Sequence, residues 1–200
     1  MNRQIENVGF NSIEKVDIRE LIGNCVDIGE EVLDLYGFGS MYAHCKERGT
    51  GVYSIDTGKD FNNKEYMKNA LTGPNRRYIS IIELAKEGTK QFQVIWLDYC
   101  GFMSRLIEKD LWMLSRLMKN KGYFFITLQQ KRERICRKGT SRKTIDSKTM
   151  NIIRDILRTQ GVELVYRVMK EKYISRPDYI GRGNVGGSPM ITIGFKYKKT

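Results

Sequence analysis

Val32–Tyr42 reads VLDLYGFGSMY, residues 43–51 read AHCKERGTG, and Val52–Asp56 reads VYSID. An apolar run carrying Asp34 passes at once into a turn with Gly37 and Gly39. Ser40 to Arg48 has the pattern of a short helix, stopped by Gly49 and Gly51. A second apolar run then ends on Asp56. The order is strand, glycine turn, helix, strand, with a carboxylate near the end of each strand. Such a βαβ unit holds a nucleoside cofactor: the glycines let backbone approach the ligand, and the second acid accepts hydrogen bonds from ribose hydroxyls. Asp34, Tyr36, Gly37, Gly39 and Asp56 are the cofactor-binding candidates.

The elements on either side of this unit follow from periodicity. Ile18, Leu21, Ile22, Cys25 and Val26 fall at helical spacing ahead of the first strand. After it, residues 57–76 are polar, with a short helix expected around Glu65–Leu71. Arg77–Ile82 (RYISII) reads as a third strand. Gln91–Asp98 (QFQVIWLD) is the strongest strand signal. Met103, Ile107, Leu111, Leu114 and Met118 form one helical stripe, which Gly122 is expected to break. Tyr123–Leu128 is a further strand. Met150, Ile153 and Leu157 mark a helix ending before Gly161, followed by strands at Val162–Ile174 and Met190–Tyr197. Alternating strands and helices predict an α/β fold: a doubly wound, mainly parallel seven-stranded sheet. The last two strands are joined by a loop without a helix, so one antiparallel strand closes the sheet. A single domain is expected over residues 1–200. Residues 1–30 would form an N-terminal helical extension, and residues 129–145 a basic loop.

The chain has 200 residues, 40% of them hydrophobic, and only 3 prolines, which argues against extensive disorder. Its 35 basic and 23 acidic residues give a net charge of +12, an electrostatic footprint suited to a polyanion such as nucleic acid. The four cysteines form no CxxC pair and are expected as free thiols in a reducing, cytoplasmic setting. One histidine and no ligand cluster argue against a metal site. No signal peptide and no membrane span are expected.

VLDLYGFG, the order of elements and the closing hairpin together resemble the class I S-adenosylmethionine-dependent methyltransferases. VLDLYG in particular is similar to the first motif of enzymes that methylate bases in RNA and DNA. The resemblance runs from about Val32 to Lys198. It implies S-adenosylmethionine as cofactor, with Asp56 on the ribose and Ser80 to Glu83 near the adenine. Asp98-Tyr99-Cys100-Gly101 matches the motif after the fourth strand, with Asp and Gly kept and proline absent. Asp98 is then the candidate catalytic residue, accepting an N–H hydrogen bond from an exocyclic amine and relaying its proton. Tyr99 would stack on the target base. Cys100 is read as a small buried hydrophobe rather than a nucleophile.

Residues 131–143 read KRERICRKGTSRK. Lys131, Arg132, Arg134, Arg137, Lys138, Arg142 and Lys143 follow a strand whose end faces the ligand side of the sheet. A basic loop there is placed for a phosphate backbone. Arg176 and Arg182, in the glycine-rich loop 175–189, are expected on the same face. Three rivals stand beside base methylation. One is a nucleic-acid-binding protein that keeps the fold without catalysis, which early first-motif glycines and the missing proline would suit. Another is ribose 2′-O-methylation, disfavoured because Leu128-Gln129 stands where a lysine is expected. The third is a nicotinamide oxidoreductase, disfavoured by Asp34 and the lack of GxGxxG.

Overall fold

In a computed structural model, the structure describes residues 13–27, 30–35, 51–55, 75–99, 101–129, 143–175 and 188–200. The expected N-terminal helix is α1, Ile13–Asn24. The strands β1, Glu31–Leu35, and β2, Gly51–Ile55, bracket the glycine-turn region. They are followed by β3, Arg76–Arg77, helix α2, Ile81–Glu87, and β4, Phe92–Asp98. Helix α3, Arg105–Met113, runs into a 3-10 turn, Leu114–Leu117, and then β5, Met118–Gln129. Helix α4, Lys143–Thr159, precedes β6, Val162–Ser175, and β7, Ser188–Lys199.

The seven strands form one mixed sheet in the order β3-β2-β1-β4-β5-β7-β6. The pairings β2–β3, β1–β2, β1–β4 and β4–β5 are parallel. β7 runs antiparallel to both β5 and β6 and lies between them. The closing antiparallel strand is therefore inside the sheet, and β6 forms its edge.

Each sheet face has its own core. Leu33, Ile55, Ile95, Leu97, Phe124, Ile126 and Phe195 pack with α2, α3 and α4 on one side. Val32, Val52, Val94, Trp96 and Phe125 pack with Ile18, Ile22 and Val26 of the α1 segment on the other. Strands buried on both faces read as continuous apolar runs, which is why β4 and β5 are so conspicuous in sequence.

Two expectations are corrected. Arg77–Ile82 is not a strand: only Arg76–Arg77 pairs, with Ser54 and Ile55 of β2, and a helix starts at Ile81. Ser80 decides this. Its hydroxyl accepts from the Glu83 N–H at 3.2 Å, and Glu83 Oε2 accepts from the Ser80 N–H at 2.7 Å. This reciprocal cap outweighs the β preference of Tyr78-Ile79 and Ile81-Ile82. The presumed adenine neighbourhood, Ser80 to Glu83, is thus the first turn of a helix.

The second correction concerns the helical stripe. It ends at Met113, and Met118 already pairs with Phe92 in the sheet. Gly122 lies inside β5 rather than at a helix end. A Cβ there would stand 1.9 Å from the Gln93 carbonyl oxygen and 2.9 Å from the Tyr197 hydroxyl. The glycine is needed because backbone and a buried phenol approach it from β4 and β7.

Candidate functional site

In parallel strands, residues aligned across the ladder share a face. Asp34 on β1 is aligned with Ser54 on β2 and with Trp96 on β4. Trp96 belongs to the core under α1, so Asp34 and Ser54 face that side. Asp98, two residues beyond Trp96, returns to the same face at the carboxyl end of β4. It is aligned with Thr127 of β5, which is aligned with Thr192 of β7. The carboxyl half of this face therefore carries Ser54, Asp34, Asp98, Thr127 and Thr192 across five strands.

These groups are mostly sealed from solvent. Asp34 is only 2% exposed, and Ser54, Thr127 and Thr192 are fully buried. The Trp96 indole N–H donates to Thr127 Oγ1 at 3.0 Å, and the two threonine hydroxyls share a hydrogen bond of 2.8 Å. The Ser54 hydroxyl is buried with no hydrogen-bond partner. Burying polar groups costs free energy unless their bonds are completed, as those of Trp96, Thr127 and Thr192 are within this row. From strand spacings, Asp34 and Asp98 have Cα atoms about 8 Å apart. Asp98 is half-buried, whereas Asp34 is buried.

The turn after β4 is pinned from both sides. The Tyr99 N–H donates to the Thr127 carbonyl at 3.1 Å, and the Gln129 N–H donates to the Gly101 carbonyl at 2.9 Å. Tyr99 packs against the core under α3, on the face opposite Asp98. Its hydroxyl donates to Asp110 of α3 at 2.9 Å. Ser104 caps α3 by accepting from the Ile107 N–H. Phe102 and Leu106, 39% and 49% exposed, stand on this turn and the start of α3, beyond Asp98.

Of the residues singled out in sequence, Asp34, Asp98 and Tyr99 are placed with their side chains, and the first two share a face. Lys143 is placed as the first residue of α4. Tyr36, Gly37, Gly39, Asp56, Lys131, Arg132, Arg134, Arg137, Lys138, Arg142, Arg176 and Arg182 lie outside the described residues. The reading missed Ser54, Thr127 and Thr192. Their signal was present as single hydroxyl residues interrupting VYSI, FFITL and MITIGF. No helix among the described residues is long and apolar enough to cross a membrane.

The sequence matches no protein-family model and no curated protein. Solved structures share its fold. An S-adenosylmethionine-dependent methyltransferase from Agrobacterium tumefaciens superposes with a TM-score of 0.55 at 15% identity, over 94% of this chain and 63% of that one. TYW2 of M. jannaschii, solved in complex with AdoMet, gives 0.54 at 12% identity, over 95% of this chain and 78% of that one. The 1,6-didemethyltoxoflavin-N1-methyltransferase of Burkholderia thailandensis, solved with 1,6-didemethyltoxoflavin and S-adenosylhomocysteine, gives 0.58 at 14% identity, over 97% of this chain and 82% of that one. The chain spans about half to two thirds of the length of several such structures.

Proposed function

We propose that this protein is an S-adenosylmethionine-dependent methyltransferase acting on nucleic acid, with an exocyclic base amine as acceptor. The observation that carries the reading is the pair of acids, Asp34 and Asp98, on one face at the carboxyl ends of adjacent strands. The sheet that holds them is shared with structures solved with AdoMet or S-adenosylhomocysteine. Ligands of open α/β sheets bind beyond the carboxyl ends of the strands, where the strand order reverses. Here that point lies between β1 and β4.

The residues present suit the cofactor. The buried Asp34 carboxylate and the Ser54 hydroxyl give a polar floor beside the first turn. Tyr36, Gly37 and Gly39 follow β1 in sequence and Asp56 follows β2; in this reading they would meet the methionine moiety and the ribose. When bound, S-adenosylmethionine supplies an electrophilic methyl group on a sulfonium. Asp98 accepts a hydrogen bond from the acceptor amine, localises its lone pair and takes up the proton released on transfer. The pinned Tyr99–Gly101 turn keeps that carboxylate in position, which serves a reaction that depends on near-attack geometry. Stacking of Tyr99 on a base would require its ring to leave the contact with Asp110.

Net charge and the basic loop support nucleic acid as the substrate. Lys131, Arg132, Arg134, Arg137, Lys138, Arg142 and Lys143, with Arg176 and Arg182, would hold phosphates near Asp98. The test is transfer of labelled methyl from S-adenosylmethionine to pools of RNA, DNA and protein, with Asp98→Ala as control. Label in nucleic acid that vanishes in the variant is expected. Calorimetry showing no S-adenosylmethionine binding at high micromolar concentration would instead favour a non-catalytic nucleic-acid-binding protein.

A further inference from the structure

The sheet face under α1 continues past the helix onto the β5–β7–β6 end, and there its character changes. Tyr123 of β5 is aligned with Lys196 of β7, and Lys196 with Tyr166 of β6. All three share this face: the Lys196 ammonium lies 6.0 Å from the Tyr123 ring centroid and 5.8 Å from that of Tyr166. Tyr166 is 51% exposed, and Tyr123 is partly buried with one side packed against the core under α1. In the next row, Lys121 is aligned with Lys198, and Lys198 with Glu163. Lys121 and Lys198 are both exposed.

The second row is costly as pure scaffolding, because like charges directly opposite in a ladder repel. Glu163 pairs with Lys198 at 2.9 Å and offsets one of the two charges. It is the one carboxylate in these two rows. The three strands bring together two tyrosines with Cα atoms about 10 Å apart, a lysine between them and two more lysines one row away. Bases stack on such rings whatever their identity, and lysines follow the phosphates. A duplex keeps its bases inside and offers no faces to the tyrosines.

We infer that Tyr123, Tyr166, Lys196, Lys121 and Lys198 form a second nucleic-acid surface, a stacking platform for single-stranded RNA or DNA. It lies about 13 Å along β5 from the level of Asp98. It would hold an unpaired stretch of the substrate away from the reacting base. Binding to it needs no cofactor, so this inference and the methyltransferase reading can fail separately.

The probe is a fluorescein-labelled 12-nucleotide oligo(U), titrated by anisotropy on the full chain without S-adenosylmethionine. The background carries Arg134, Arg137 and Lys138 changed to Ala, so that the basic loop does not mask the effect. Tyr166→Ala is expected to weaken binding about tenfold and Tyr166→Phe to leave it nearly unchanged. Lys121→Gln should flatten the logarithmic salt slope by about 0.7. Tyr166 is exposed, so an unchanged thermal midpoint is expected and separates lost contact from lost fold. An affinity in Tyr166→Ala equal to that of the triple-alanine background would overturn the inference. So would tighter binding of a 12-base-pair duplex than of the single strand. Binding to phosphatidylserine vesicles with none to oligo(U) would assign the patch to membranes instead.

Discussion

The two ends of the parallel strands treat their charges in opposite ways. At the amino end, Glu30 accepts from Lys119 at 2.5 Å, and Glu31 accepts from Lys90 at 2.8 Å and from Asn75 at 2.7 Å. These side chains remain a quarter to two fifths exposed. Glu30, Glu31, Lys90 and Lys119 line an open polar pocket of about 520 Å³ with Gly51, Thr89 and Gln91. At the carboxyl end, Asp34 is 2% exposed and sits among buried hydroxyls and an indole. Exposed pairs are worth little and tolerate change. A carboxylate taken out of water is costly and is kept only where its environment is built for it. The exposed pairs of the amino end and the buried acid of the carboxyl end thus place different demands on the same sheet.

Substitutions at the two ends should differ in kind as well as size. Asp98→Asn is expected to lower the rate of methyl transfer by about 10²- to 10⁴-fold, the usual range for removing a positioned acid–base group. Its thermal midpoint should stay near that of the parent. A variant that transfers at the parental rate would remove Asp98 from the chemistry. Thr127→Val breaks the links to Trp96 and Thr192 and leaves the indole N–H buried without its acceptor. A loss of about 1–3 kcal/mol in urea unfolding is expected.

The cover over this face can be followed through Cys25. Burial pushes its thiol up from 9.0 to about 11. Over that range the unfolded thiol sheds its proton while the folded one keeps it, so the unfolded state binds fewer protons. Stability should therefore fall as the pH rises from 9 to 11. Urea midpoints of the parent and of Cys25→Ala, compared across that range, report the difference; parallel curves would show the thiol to be open to solvent. Tyr99→Phe removes the hydroxyl bonded to Asp110 and keeps the ring. A loss of about 1 kcal/mol is expected if the tyrosine braces the turn, and none if only its ring matters. At the amino end, Lys119→Ala and Lys90→Ala should each cost less than about 1 kcal/mol and leave transfer unchanged.

How much could be read in advance depended on the physical signal. β1, β2, β4 and β5 announced themselves as apolar runs because both their faces are buried. The reversal of β7 followed from a link with no crossover helix. Arg77–Ile82 misled because its β-branched and aromatic residues match a strand, while the deciding contact joins Ser80 to Glu83. Leu114 and Met118 kept helical spacing although the chain had already entered a 3-10 turn and then the sheet. Asp34 and Asp98 were legible as strand-end acids. That Ser54 and Thr127 share their face depends on the register between strands far apart in sequence, which no local pattern encodes. The same holds for the tyrosine–lysine rows, whose members come from three strands.

The insertion of β7 between β5 and β6 also sets an order of events during synthesis. Among the described residues, β6 joins the sheet only through β7, and β7 is made after it. Until residues 188–199 leave the ribosome, β5 keeps an open hydrogen-bonding edge and β6 has no strand to join. Two unmated edges on a nascent chain invite pairing with neighbouring molecules. A chain released after truncation before residue 188 should therefore cling to holdase chaperones, and the 200-residue chain should not.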